Sequence, residues 1–297
     1  MAGVDKLVVG CGYLGQRVAQ TWVAQGDRVF GLVQSESRAS QLRDAGIVPL
    51  VADVTQLDTL PAFPEVQTVL YCVATGRGAS ASQTSKRAVY VDGLQNVLNR
   101  LGSGYERLIY ISSTSVYGQT GGEWVDERSP CHPVSPGGRI CLEAEEGLRR
   151  FFAESGDVTR STYHILRLSG LYGPTRLRSR VEQVRSGRPL DGNPDAWLNL
   201  IHVDDAVRAV LACEQRGRPG EVLIVSDDRP LTRREYYQAL ASSVGTDTIR
   251  WAQAAAEQTE VSQHLNKRCC NRRLREELKV ELEYPTFFVG LPNAVGV

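Results

Sequence analysis

The chain reads as an α/β protein built on a parallel sheet with helices on both faces, and three observations lead there. Short apolar runs of strand length alternate with amphipathic helical patterns. A glycine-rich turn, Gly10-Cys11-Gly12-Tyr13-Leu14-Gly15, separates the first apolar run from the first helical pattern. The stretch Thr68 to Val73 is a continuous apolar run of the kind that is buried on both sides of a parallel sheet.

The elements follow in order. Lys6 to Val9 begins the sheet, and a helix runs from Tyr13 to Gln25 with Leu14, Val18 and Trp22 four apart on one face and Gly26 as its stop. Arg28 to Val33 is the second strand. A helix near Arg38 to Ala45 ends at Gly46, followed by strands Ile47 to Val51 and Thr68 to Val73. A longer helix from about Ser82 to Leu101 turns Leu94, Val97, Leu98 and Leu101 inward before the strand Arg107 to Ser112. The helix near Ile140 to Glu154 leads to the strand Tyr163 to Leu168. Beyond Pro174 the rhythm loosens and Arg becomes frequent. The expected organisation is a main domain over 1–175 and a smaller lobe over 176–297, partly interleaved with the sheet. Thr232 and Glu235, following Pro230, are spaced as a capping box and mark a helix start in that lobe. There is no internal repeat and no low-complexity linker.

Composition narrows the partners. The chain has 297 residues, is 42% hydrophobic and carries a formal net charge of zero, enough to bury a sizeable core. The charge balance argues against nucleic acid and anionic membranes as partners and favours a small molecule. The seven cysteines form no CxxC pair and no regular spacing with His, so neither a metal site nor a disulfide framework is expected. No stretch approaches the roughly 18 uninterrupted apolar residues of a membrane span. The reading is a reduced, cytoplasmic protein.

The glycine turn carries the first functional signal. Gly10 permits the tight exit from the strand, Gly12 lets the backbone approach a pyrophosphate, and Gly15 allows close helix packing. With Tyr13 and Leu14 they open a helix whose free N–H groups face the phosphates. A strand before and a helix after predict a Rossmann-type doubly wound sheet that binds a dinucleotide. The end of the second strand reads Gln34-Ser35-Glu36-Ser37-Arg38. No acid stands at the strand end itself to accept from ribose hydroxyls, while Ser35 and Arg38 suit a 2′-phosphate. NADP is the favoured reading. NAD stays open, because Glu36 is close by and an exposed helix position would equally explain Arg38.

Further markers follow: Asp53 after the third strand, Ala74-Thr75-Gly76 after the fourth, and Ser112-Ser113-Thr114-Ser115-Val116-Tyr117-Gly118. Later come Arg167-Leu168-Ser169-Gly170-Leu171-Tyr172-Gly173-Pro174 and Ile201-His202-Val203-Asp204-Asp205. Through them nearly the whole chain resembles the extended-type short-chain dehydrogenases/reductases of the NAD-dependent epimerase/dehydratase group, and their atypical bacterial subgroup in particular. The resemblance implies that Asp53 and Val54 flank the adenine and that Ala74, Thr75 and Gly76 line the cofactor's ribose and phosphates. It also implies that Ser113, four residues before Tyr117, binds the reacting oxygen. A hydroxyl can donate to a carbonyl and accept from an alcohol. The alternative is that Ser112 to Ser115 satisfy loop backbone.

One phrase departs from the family. Where its members read SPYGxSKxxAE, this chain reads Ser135-Pro136-Gly137-Gly138-Arg139-Ile140-Cys141-Leu142-Glu143-Ala144-Glu145, which puts Gly137 at the proton-shuttling Tyr and Cys141 at its Lys partner. A positioned acid/base contributes roughly 10²–10⁴ in rate, about 3–5 kcal/mol, so useful turnover needs a substitute. Asp92, which the atypical subgroup resembles in carrying Asp, is the candidate taken with Ser113. Tyr117, Tyr172 and His202 are others, although Tyr117 also reads as packing and His202 as orienting the turn before Asp204 and Asp205. In the lobe, Arg176, Arg178 and Arg180, with Lys267, Arg268, Arg272, Arg273 and Arg275, suit an anionic substrate or form solvated faces paired with Glu276 and Glu277.

Two functions are consistent with these residues. One is an NADP-dependent oxidoreductase or epimerase for a nucleotide sugar or another small carbonyl or hydroxyl compound, with a non-standard acid/base. The other is a non-catalytic NADP(H)-binding sensor or scaffold. A homodimer is a family-level expectation.

Overall fold

The computed structural model describes residues 3–74, 86–154, 161–246, 249–252 and 265–296. The first half alternates strand and helix: β1 Asp5–Val9, α1 Gly15–Ala24, β2 Arg28–Val33, α2 Glu36–Asp44, β3 Val48–Val51, β4 Val66–Tyr71, α3 Gly93–Leu101 and β5 Tyr105–Ser113. Then come β6 Glu123–Val125, α4 Pro136–Glu154, β7 Thr162–Leu168, β8 Gly170–Tyr172, α5 Arg178–Arg185, β9 Trp197–Leu198, β10 Leu200–His202 and α6 Val203–Arg216. The last elements are β11 Glu221–Val225, β12 Leu231–Thr232, α7 Arg233–Ser243, β13 Lys267–Cys269, α8 Arg272–Glu276 and α9 Phe287–Val295.

Seven strands form one sheet in the order β11-β7-β5-β4-β1-β2-β3. β1 pairs in parallel with β2 and β4, β2 with β3, and β4 with β5. Leu7, Val8 and Val9 of β1 are fully buried, as a central strand covered on both faces requires. The reversal of strand order beside β1 is the doubly wound pattern expected from the alternating sequence. Gly26, with φ +93°, ends α1 in a conformation that residues with a side chain rarely adopt.

The chain divides into two compact units: 1–113 with 136–167 and 210–222, and 114–135 with 168–209 and 223–297. The core of the first unit gathers Leu7, Val9, Val69, Tyr71, Leu94, Val97, Leu98, Leu108 and Leu148. In the second, Tyr172, Leu190, Leu231, Tyr236, Leu240, Phe287 and Leu291 pack together beside three two-stranded pairings, β8 with β10, β9 with β12, and β6 with β13. The capping box is present at α7: the Thr232 hydroxyl accepts from the Glu235 N–H, and the Glu235 carboxylate accepts from the Thr232 N–H at 2.7 Å. No helix among the described residues is long and apolar enough to cross a membrane.

Two helices depart furthest from their expected extents. α4 begins at Pro136, not Ile140, because proline is well suited to the first helical position, where no amide hydrogen is needed. Of the helix expected from Ser82, residues 82–85 lie outside the described residues. Its described part carries a wider π turn at Ala88–Asp92 before α3 begins at Gly93. Such turns are frequent at functional sites.

Candidate functional site

β3, β2, β1, β4 and β5 are adjacent and parallel, so their carboxyl ends fall along one edge of the sheet. The glycine turn follows β1, Gln34 and Ser35 follow β2, Asp53 follows β3, Ala74 follows β4, and Ser113 ends β5. Residues spread over a hundred positions are thereby brought to the edge where open α/β sheets bind ligands.

The three glycines differ in what surrounds them. Gly10 has φ +96°, and a Cβ there would lie 2.7 Å from the Val73 nitrogen. A Cβ on Gly15 would strike the Gly10 carbonyl oxygen and come within 2.7 Å of Cys72 Sγ. At Gly12 a Cβ would meet nothing within 4 Å. Gly10 and Gly15 are thus required by packing, while Gly12 keeps a surface bare beside a helix start that no side chain caps. These residues fit the pyrophosphate of a dinucleotide. The Cys11 thiol is pushed up to about 12 by burial, with Arg38 opposing the shift, so it is no nucleophile.

At the end of β2, Gln34, Ser35 and Arg38 are exposed. Arg38 reaches back over the turn, donating from Nη2 to the Cys11 carbonyl at 3.3 Å and from Nη1 to Gln41 Oε1 at 3.0 Å. Glu36 is paired with Arg43 at 2.7 Å. Asp53 caps its own loop, its Oδ1 accepting from the Thr55 N–H at 2.9 Å and hydroxyl at 2.8 Å. The Asn96 amide donates to the carbonyl of buried Val54 at 2.9 Å, which fixes this loop against α3. Ala74 is exposed, and Thr75 and Gly76 lie outside the described residues.

Ser113 is half-buried at the end of β5. Asp92 closes the π turn, where Arg87 Nη1 pairs with it at 2.9 Å while Arg87 Nη2 reaches Glu143 of α4 at 2.6 Å. Both carboxylates are about half exposed. Arg87 had no mark in the sequence, yet it joins the π turn to the helix that carries Gly137 and Cys141. A Cβ on Gly137 would meet nothing within 4 Å. Cys141 is buried. Beside it lies the fully buried Tyr110, whose hydroxyl has no hydrogen-bond partner among the described residues and is held well above the ordinary phenol value by burial and then by the Cys141 thiol.

One turn further along α4, Glu145 is completely buried. Its Oε1 accepts from the Ser112 hydroxyl at 2.6 Å and Arg167 Nε at 2.9 Å, and its Oε2 from Arg167 Nη2 at 2.6 Å and Arg149 Nη2 at 3.0 Å. This cluster ties α4 to β5 and β7, and reaches β5 through Ser112, the residue before Ser113. Sequence reading missed it because Glu145 and Arg167 carry no local signal of their pairing.

In the second unit, His202 Nδ1 accepts from the Asp204 N–H at 3.2 Å and Nε2 meets Asn293 Oδ1 at 3.0 Å. Asp205 accepts from the N–H groups of Glu283 and Tyr284 at 2.7 and 2.9 Å. Tyr117 and Tyr172 are buried. Of the arginines near the end, Arg273 pairs with Glu277 at 2.8 Å and Arg275 with Asp228 at 3.4 Å.

A bare glycine turn at the switch of a doubly wound parallel sheet, with Ser113 on the same edge, defines a dinucleotide-binding protein of the extended short-chain dehydrogenase/reductase type. The chain belongs to the NAD dependent epimerase/dehydratase family, whose pattern matches residues 6–226. It is 27% identical over 287 residues to protein YeeZ of Escherichia coli, covering 94% of this chain and 95% of YeeZ. A Methylobacillus flagellatus structure assigned to the NAD-dependent epimerases/dehydratases is 32% identical, with a TM-score of 0.73 over 98% of this chain and 97% of that one. The fold is also similar, with a TM-score of 0.79 at 17% identity over 98% and 97% of the two chains, to UDP-glucuronic acid 4-epimerase from Bacillus cereus in complex with UDP-glucuronic acid and NAD.

Proposed function

We propose that this protein binds NADP(H) along the carboxyl edge of its sheet and acts as an oxidoreductase or epimerase-like enzyme on a nucleotide sugar or another small carbonyl or hydroxyl compound. The observation that carries the cofactor choice is the placement of Arg38. Its guanidinium lies over the glycine turn, whereas the competing acid, Glu36, is engaged by Arg43. A 2′-phosphate would meet a charge-assisted fork there, with Ser35 beside it. Gly12 and the start of α1 would hold the pyrophosphate, and Asp53, Val54 and Ala74 to Gly76 the remainder. When bound, the nicotinamide supplies or accepts hydride. Ser113 holds the reacting oxygen, and Asp92 moves the proton that the positions of Gly137 and Cys141 cannot. The nucleotide-sugar class is supported by the fold shared with the Bacillus cereus epimerase.

Calorimetric titration with NADPH and NADH tests the reading. Wild type is expected to prefer NADPH by at least about tenfold, and Arg38→Ala to lose roughly 10–100-fold of NADPH affinity, the equivalent of about 1.5–3 kcal/mol for a charged hydrogen bond, with NADH little changed. Equal affinity for both nucleotides in wild type would overturn the NADP assignment. Ser113→Ala should slow turnover in a screen of nucleotide sugars and carbonyl compounds.

A second reading, a non-catalytic NADP(H)-binding sensor, is favoured by α4, where Gly137 presents no side chain and Cys141 is buried. Tight, redox-dependent binding without turnover across that screen would select it.

A further inference from the structure

We propose that Arg268, stacked between Trp124 and Trp197, is an oxyanion-recognition site that takes a phosphate or carboxylate group. β6 and β13 pair in parallel with Arg268 opposite Trp124, so the two side chains leave the ribbon on the same face. Trp197 joins them from β9, where its backbone N–H donates to Asn266 Oδ1 at 2.9 Å. The guanidinium carbon lies 5.0 Å from the Trp124 ring centre and 5.1 Å from that of Trp197. Its Nε donates to the Gly122 carbonyl at 2.8 Å. Among the described residues, no acceptor and no carboxylate meets its two terminal nitrogens. Glu123, which precedes Trp124, alternates to the other face of β6 and accepts from the Gly121 N–H at 2.9 Å.

The physical consequence is a preorganised fork. A free arginine gives up about 2 kcal/mol of rotamer freedom when it is held in one geometry. Here two indole faces and one backbone hydrogen bond have already fixed the guanidinium plane, with its terminal N–H groups unpartnered among the described residues. Such a plane matches the two oxygens of a carboxylate or phosphate better than an ammonium can. Trp124, 55% exposed, leaves one flank of the stack open to an incoming ligand. A purely structural stack would satisfy the same distances without binding anions, and the two alternatives differ in solution.

Anion binding at this stack needs no cofactor and can be measured apart from it. The full chain, without nucleotide and at low ionic strength, is titrated with inorganic phosphate, pyrophosphate and glucuronate while tryptophan fluorescence is followed, with sodium chloride as the ionic control. A saturable change is expected, absent with chloride. It should weaken about tenfold or more in Arg268→Lys, which keeps the charge and loses the fork. A stronger response to pyrophosphate points to a phosphorylated ligand, and a stronger response to glucuronate to a carboxylate. Trp124→Phe alters only an exposed ring and should weaken the same binding, which keeps the test decisive if the arginine variant fails to fold. No saturable change in wild type, or unchanged affinity in Arg268→Lys or Trp124→Phe, overturns the proposal. Arg268→Lys should leave NADPH affinity in calorimetry unchanged, so failure here and failure of the cofactor assignment read out separately.

Discussion

Glu145 and Arg167 are joined by two hydrogen bonds, 2.9 and 2.6 Å long, with the carboxylate completely shielded from solvent and the guanidinium side chain only 4% exposed. Ser112 and Arg149 take further positions around the carboxylate, so each oxygen accepts twice. Removing one partner strands a buried charge, which costs far more than the net worth of the pair. Glu145→Gln or Arg167→Met is expected to lower stability by roughly 3–5 kcal/mol. The urea midpoint at unchanged slope measures this, and the double variant should recover part of the loss.

The three glycines of the first turn should separate packing from binding. Gly10→Ala and Gly15→Ala force a Cβ into Val73, Cys72 or the turn's own carbonyl, and are expected to cost about 1–3 kcal/mol of stability. Gly12→Ala has room and should shift the thermal midpoint little, yet weaken NADPH binding by about tenfold or more because its methyl group occupies the approach path. Parallel thermal melts and calorimetry make the comparison.

His164 offers a pH handle. Burial, and then the charge of Arg107, push its imidazole from 6.5 down to about 4 in the native state. The unfolded chain therefore binds the proton more readily. The contribution of neutral His164 to stability is complete above pH 6.5 and is lost as pH falls from 6.5 towards about 4, a loss on the order of 3 kcal/mol. Subtracting the unfolding free energies of His164→Gln from those of wild type across pH 4 to 8 should reveal a decline confined to that interval.

α4 makes a prediction about restored chemistry. Gly137→Tyr replaces a helical glycine at an open position and should be neutral or stabilising by up to about 1 kcal/mol. Cys141→Lys introduces a charge beside the buried Tyr110 hydroxyl and should destabilise by about 1–3 kcal/mol. If the natural protein does not turn over, the double variant is expected to gain measurable cofactor oxidation with a carbonyl substrate. Unfolding midpoints and NADPH absorbance check the two halves of this expectation.

The strands were largely legible because a parallel sheet buried on both faces needs continuous apolar runs: β2 has its expected bounds, and β5 and β7 differ by only one or two residues at either end. The glycine turn was legible because its spacing is dictated by backbone geometry, and the capping box because both partners lie within one turn. Pro136 misled because proline interrupts helices everywhere except near their starts. The π turn at Ala88–Asp92 leaves no pattern, since one wide turn does not change hydrophobic periodicity. The Glu145–Arg167 pair and the Trp124–Arg268–Trp197 stack escaped for another reason. Their members are separated by 22 to 144 residues and meet only through the pairing of strands and helices.

The passage of the chain back and forth between its two units sets an order on biosynthesis. The first unit needs residues 210–222 to be complete, so a nascent chain that has exposed the whole glycine turn and β5 still lacks part of that unit until Val222 has left the ribosome. Residues 114–135, made early, belong to the second unit and wait for segments 168–209 and 223–297. Chaperone demand should therefore concentrate in that interval, when apolar surface from both halves is exposed at once.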